Sequence, residues 1–377
     1  MIRVYERIAD IDPAAWDALA GGHPGLQHAF LDAMEQSGSV SAETGWQPCH
    51  LTLWQDAVLI AAMPLYRKAH SWGEYVFDWA WARAYEQQGL DYYPRLVSAI
   101  PFSPLPGARL LAQDDAGRAA LIEAAIALTK ELGDSSLHLL FPTPADAKFA
   151  GEHGMQLREQ VQFHWQRQPA WASFDDFLGS MSHDKRKKIK QERRYVREAG
   201  VEVKRKYASE IDAADWRFFM RCYQHTYLEH RSQPYLNLDF FLRLHAAMPE
   251  ACLLILAYRD GKPIAAAFDL VGPSALYGRY WGAVWGEGGF VPGLHFELCY
   301  YQGLEFALGR GIDLFEGGAQ GEHKLARGFL PVTTWSAHWL AHPAFADAVG
   351  RFLDQERQAV DEWAEQLAAQ HPFKHQP

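Results

Sequence analysis

Between Leu294 and Leu308 the chain is apolar almost all round, interrupted only by His295, Glu297, Gln302, Gly303 and Glu305. A helix apolar on every side belongs in a domain interior. Gly309 and Gly311 supply its stop signal. Ile312-Asp313-Leu314-Phe315 then reads as a short strand, and the pattern breaks into Glu316-Gly317-Gly318-Ala319-Gln320-Gly321-Glu322-His323-Lys324. A glycine-rich turn crowded with acid–base residues, just past a strand end, is where ligands bind in α/β architectures.

The rest of the chain alternates between strand and helix periods. Ile2 to Glu6 reads as a strand, Asp12-Pro13 opens a helix through Leu19, and Leu26 to Gln36 is a second helix. Cys49 to Trp54 and Val58 to Arg67 form a predicted hairpin, with Gly73 to Ala80 as a further strand. The prolines between Pro94 and Pro106 predict irregular chain. A helix from Ala116 to Leu132, closed by Gly133, leads to strand Leu137 to Phe141, helix Pro144 to His153 and strand Gln160 to Arg167. From Val201 the order repeats: strand, helices Ala213 to Glu229 and Asp239 to Met248, a hairpin turned at Asp260-Gly261, strand Ala275 to Val284, the buried helix, and a closing strand Val332 to Leu340. A long amphipathic helix, Pro343 to Gln370, ends the chain. The expected organisation is a mixed α/β fold with domains 1–168 and 201–341, a basic joint 169–200, and a terminal segment 342–377 able to pack back on the first domain.

Composition narrows the function classes. A net charge of −10 argues against a protein coated in positive charge for nucleic acid, without excluding one local basic patch. Such a patch exists: Lys185, Arg186, Lys187 and Lys188, continuing to Lys190, Arg193, Arg194 and Arg197, fall in one helical window. It reads either as a phosphate-binding edge or as a solvated helix paired internally with Glu192 and Glu198. The four cysteines are widely spaced and form no CxxC pair, so neither a disulfide framework nor a zinc site is indicated. No metal-ligand spacing appears; no apolar signal core or run of eighteen apolar residues is found, which leads to the expectation of a cytoplasmic protein without a transmembrane segment. An aromatic content of 14% suits either large cores or a stacking groove.

Four segments in order, Met181-Ser182 through Lys185-Arg186-Lys187-Lys188-Ile189, Gly278-Arg279-Tyr280-Trp281-Gly282, Leu294-His295-Phe296-Glu297-Leu298-Cys299-Tyr300-Tyr301-Gln302-Gly303 and Gly318-Ala319-Gln320-Gly321-Glu322-His323-Lys324, resemble the FemAB-like N-acyltransferase family, also labelled peptidoglycan biosynthesis or recognition. Gly317 is a departure, since relatives often carry proline there. The resemblance implies two tandem GNAT-like domains, each a mixed, largely antiparallel sheet flanked by helices, and acyl transfer to an amine. It implies no tightly bound cofactor. The donor is a co-substrate, aminoacyl-tRNA or acyl-CoA, and the acceptor a small-molecule or peptide amine. A noncatalytic module that binds a cell-wall precursor is the alternative. Oligomeric state is not indicated.

The candidate residues follow from that chemistry. An ammonium nucleophile must lose a proton before it attacks, and the tetrahedral intermediate needs a cation or N–H donors. Glu316 or His323 would supply the first, Lys324 and loop amides the second, with Gln320, Glu322 and Arg327 lining the same turn. Arg279, Tyr280 and Trp281 lie on the strand expected to hold the donor. His295 and Gln302 share one helix face, with Glu297 on another. His295 with Glu297 reads as a base and its orienting acid, or as core polar groups that cap a neighbour. The glycine-rich loop 286–293 lacks the arginine of a coenzyme A pyrophosphate signature, which favours a non-CoA donor.

Overall fold

The computed structural model describes residues 1–285, 289–318 and 321–374. The strands, in chain order, are β1 (Ile2–Tyr5), β2 (Trp46–Pro48), β3 (His50–Gln55), β4 (Val58–Met63), β5 (Leu65–Lys68), β6 (Arg95–Ser98), β7 (Leu111–Ala112), β8 (Ser136–Leu140), β9 (Gln156–Gln166), β10 (Val201–Tyr207), β11 (Cys252–Arg259), β12 (Lys262–Val271), β13 (Ala275–Ala283), β14 (Leu314–Glu316) and β15 (Leu330–Leu340). The fold is mixed α/β and forms two compact units: Met1–Val161 with Thr333–Ala364, and Gln162–Val332 with Glu365–Pro377. The strand expected to close the second domain therefore divides, and from Thr333 onward it belongs with the first unit.

In the first unit, a small antiparallel sheet runs β1-β3-β4-β7, and a second runs β15-β8-β6-β5-β2. Only β6 and β8 are parallel in that second sheet, joined over the helix Asp115–Leu132. Asp114 caps this helix by accepting from the Gly117 amide, and Gly133 ends it at φ 67°. The core between helix and sheets is Leu51, Met63, Leu96, Leu121, Leu137 and Leu139.

In the second unit the order is β10-β11-β12-β13-β14-β9, again antiparallel except for one pair, β13 with β14. The buried helix crosses between those two strands. The other side of the sheet is packed by rings: Trp216 stacks on Phe241 at 5.5 Å, and Phe219 and Phe268 close round them. Much of the aromatic content is thus spent on core.

Three local expectations change. Gly73 to Ala80 is not a strand; the chain is irregular up to Asp78 and then enters a helix, Trp79–Gln87, whose Trp81 and Tyr85 pack inward. The stretch after Pro94 is not wholly irregular, because β6 follows at once with all of its residues buried. Proline is tolerated just before a strand, where its missing N–H is not needed. The long second arm of the first hairpin breaks at Pro64, so that β4 stays in the small sheet and β5 joins the larger one.

Candidate active site

The buried helix organises the second unit, but it is not uniformly α. Leu294–Phe296 is α, Glu297–Tyr301 is a π turn, and Gln302–Arg310 is α again. Such a turn admits one extra residue, so partners lie five apart. Gln302 Nε2 accordingly donates to Glu297 Oε1 at 2.7 Å. Sequence spacing separated Glu297, Gln302 and Glu305; the structure joins them through Arg193, which donates to both Glu297 oxygens at 3.0 and 3.1 Å and to Glu305 at 2.6 Å. Glu297 is thus held by Arg193 and Gln302. His295 instead faces Trp281, ring to ring at 5.1 Å, and His323 at 6.1 Å. Burial, with the charges of Arg327 and Lys324, brings its pKa down to about 4.

The basic helix, His183–Glu198, has two different faces. Ile189, Glu192 and Val196 are buried. Glu192 does not pair along its own helix in solvent; it accepts from Arg327 Nη2 at 2.6 Å and from the Tyr301 hydroxyl. Arg327 is 2% exposed, donates to the His323 carbonyl at 2.6 Å and lies over the Phe296 ring. It is therefore turned inward and braces the His323 segment. The outer face is open. Arg186, Lys187, Lys190, Arg194 and Arg197, with His183 and Gln191, line a shallow depression of about 490 Å³. Lys185 and Lys188 lie outside it.

On β13, Phe268 pairs with Tyr280 and Asp269 with Gly278, which makes Arg279 the extra residue of a bulge. Arg279 donates to the Tyr280 hydroxyl at 3.0 Å, and Tyr280 packs edge-on against Tyr223 at 5.0 Å. Among the described residues, pairing with β14 covers Ala275 to Tyr277, although β13 runs on to Ala283. Glu316 is the last residue of β14, beside Tyr277 on one side and His164 on the other. Strand alternation places these three on the face opposite Phe315.

The turn that follows Glu316 folds back on the central helix. Gly321 has φ +109°, and a Cβ there would lie 2.4 Å from the His323 ring, so only glycine lets the imidazole lie against its own loop. His323 Nε2 and the Tyr300 hydroxyl are 3.1 Å apart. His323 is itself exposed; partial desolvation, then Arg327 and Lys324, lower its pKa. Lys324 is 4% exposed and donates to the Gly318 carbonyl at 2.8 Å. Burial brings its pKa down to about 8, close enough to neutrality for the charge to be lost in mild alkali. His164, held near 4 by burial and by Lys324, shares a hydrogen bond of 3.1 Å with Gln162. Glu322 points to solvent. Gln320 lies outside the described residues, as do residues 286–288 of the glycine-rich loop.

The structure thus brings His295, His323, Lys324 and Arg327 to one place. It adds Tyr300, His164 and Glu192, which sequence reasoning passed over. Tyr300 carried no signal beyond its place in an apolar run. His164 lies far from the turn in sequence, on a strand read as part of the first half. Glu192 was hidden among cations that made it look like an exposed helical pair. The chemistry within reach is proton transfer by imidazole or carboxylate beside a buried ammonium that can face a developing oxyanion.

The fold defines a class first: a mixed α/β protein of two compact units with large antiparallel sheets. The chain belongs to the FemAB-like family, whose model, described as peptidoglycan biosynthesis/recognition, matches residues 7–375. Among solved structures it is similar to FemX, at 11% identity over 90% of this chain and 98% of that one, with a TM-score of 0.55. It is likewise similar to L-PGS from Bacillus licheniformis, at 9% identity over 91% of this chain and 97% of that one, with a TM-score of 0.52. At such identities the likeness is one of fold. A comparison with curated proteins finds no match. Among the described residues, no helix is long and apolar enough to cross a membrane.

Proposed function

We propose that the chain is an N-acyltransferase that moves an acyl or aminoacyl group from an activated carboxyl donor to an amine. One observation carries the reading: His295, Tyr300, His323 and Lys324 gather beside the stretch of β13 that has outrun β14. Family membership supports it. In this scheme the donor's acyl carbon lies along the bulge at Arg279. His323, exposed on the turn with its pKa lowered, takes a proton from the acceptor ammonium as its nitrogen attacks, with Glu316 at the strand end as the other candidate base. Lys324 in its charged form faces the oxyanion of the intermediate. Arg327 positions His323 through the backbone.

The outer face of the basic helix holds the donor's phosphates. From Arg186 to Arg197 it extends roughly 16 Å at 1.5 Å per residue, longer than one pyrophosphate requires. That length favours aminoacyl-tRNA over acyl-CoA as donor, and a small-molecule or cell-wall peptide amine as acceptor. The test is transfer of labelled amino acid from charged tRNA to amine acceptors, with and without RNase, beside acetyl-CoA. Transfer abolished by RNase supports the tRNA donor; transfer that persists from acetyl-CoA assigns the coenzyme instead. Turnover that survives Glu316→Gln combined with His323→Ala removes the chemistry from this cluster.

A further inference from the structure

One polar group beside the same strand end has no part in the scheme above. Asp269, on β12, is 2% exposed. Its neighbour across the ladder is Gly278, the first residue of β13 beyond the pairing with β14. Gly278 has no side chain, and a Cβ there would meet the Glu316 carbonyl oxygen and the Phe315 ring at 3.4 Å and Asp269 Oδ1 at 3.8 Å, so the acid and the end of β14 converge over this glycine. The carboxyl therefore reaches over β13 toward the point where β14 ends. On the helix side it is close enough to Cys299 of the π turn to raise that thiol further. Cys299 and Gly278, on either side of the acid, both keep partial exposure. Asp269 Oδ2 has no hydrogen-bond partner among the described residues. Burial holds this carboxyl well above the usual range, and no neighbouring charge offsets it. The Cys299 thiol interacts both with this acid and with Lys324.

We propose that Asp269 recognises the α-ammonium of the donor, so that the group transferred is an aminoacyl group and not a plain acyl group. This rests on the transferase reading. Buried polar atoms are answered by a partner in nearly every folded protein, and an orphan calls for a ligand or water to answer it. A plain acyl chain has no N–H and would leave Oδ2 unanswered. An ammonium supplies both the donor and the positive charge that a buried carboxylate lacks. No bond between heavy atoms changes in this step; only a proton moves. The raised pKa of Asp269 favours its protonated form before binding; the ammonium keeps its charge, and the proton held by the carboxyl passes to solvent.

The experiment is calorimetric titration of the full chain with two hydrolysis-resistant probes, 3′-deoxy-3′-(L-alanylamino)adenosine and its propanoylamino counterpart. They differ only in the α-amine. The expected result is at least about tenfold tighter binding of the alanyl probe, the size of one charge-assisted hydrogen bond. About one proton should be released, read from buffers of different ionisation heat. Asp269→Asn should erase both the preference and the proton. If that variant does not fold, the proton count in the unaltered protein decides. Equal affinity with no proton release overturns the assignment. If neither probe binds, transfer assays with alanyl- and propanoyl-tRNA separate the two failures. Transfer of both at equal rates sinks the role of Asp269, and absence of transfer from every donor sinks the reading beneath it.

Discussion

His138 and Glu316 hold the same place in the two units. Each lies on the second strand of a parallel pair, β8 beside β6 and β14 beside β13, and each meets a histidine across the next antiparallel strand, His338 in one case and His164 in the other. In the first unit that row is sealed. His138 Nδ1 and His338 Nδ1 are 2.6 Å apart, and their Nε2 atoms reach the hydroxyls of Ser136 and Ser336 at 2.7 and 2.8 Å. Burial keeps both rings well below the usual imidazole range, hence neutral. Nearby, Arg95 meets Glu74 at 2.6 Å and Asp78 at 2.7 Å, with Lys68 3.8 Å from Glu74; burial brings the Lys68 pKa down to about 7 and that of Glu74 up to about 7, so Arg95 is the fixed charge of the cluster. β6 ends where its pairing ends, at Ser98. In the second unit β13 runs on past Tyr277 beside a turn that carries His323 and Lys324, and the row opens. A buried charge is costly to strip of its partner, so one that is already paired offers nothing to a ligand. The second unit's imidazoles and ammonium keep capacity to spare because a strand outruns its neighbour.

The comparison can be broken most forcefully at the open row. His323→Ala and Glu316→Gln tested separately should show which is the base: that variant should lose about 10²–10⁴-fold in turnover, with little change in thermal midpoint. A large loss of stability with unchanged turnover per folded molecule would make the open row structural after all. The mirror experiment is Arg95→Ala in the sealed cluster. It leaves Glu74 and Asp78 buried without their guanidinium and should cost about 3–5 kcal/mol in urea denaturation, while turnover per folded molecule stays the same.

A subtler probe is pH. Lys324 loses its charge as pH rises through about 8, so turnover should fall on that alkaline limb, and Lys324→Arg should carry the limb to higher pH. The sign for stability is opposite. The folded pKa lies below the unfolded value of 10.5, so the folded chain binds fewer protons between about 8 and 10.5, and this group makes the protein more stable as pH rises through that window. The smallest effect on the fold is expected on the outer face of the basic helix. Replacing Lys187, Lys190 and Arg194 by alanine should each change stability by no more than about 0.5 kcal/mol. Binding of a tRNA should nevertheless weaken, with a salt dependence lower by up to about 0.9 per phosphate contact removed. An unchanged salt slope would make this face a solvated surface only.

Much of this was legible in the chain. The repeated element order, the cap at Asp12, the Asp260-Gly261 turn and the acid–base crowd after Glu316 are written in local periodicity and in turn chemistry. These depend on residues a few positions apart, so the sequence determines them alone. The aromatic-rich stretch Gly73 to Ala80 misled as a strand, because a segment without a partner strand has no ladder to join. The pairing of Glu192 with Arg327, of Arg193 with Glu297 and Glu305, and of His164 with the Glu316 strand was decided only by the tertiary structure. Strand register and a single π turn choose those partners, and both are set by packing between segments more than a hundred residues apart. Composition supplied the buried acids and bases of both units; whether each was sealed or left open depended on where one strand stopped pairing with the next.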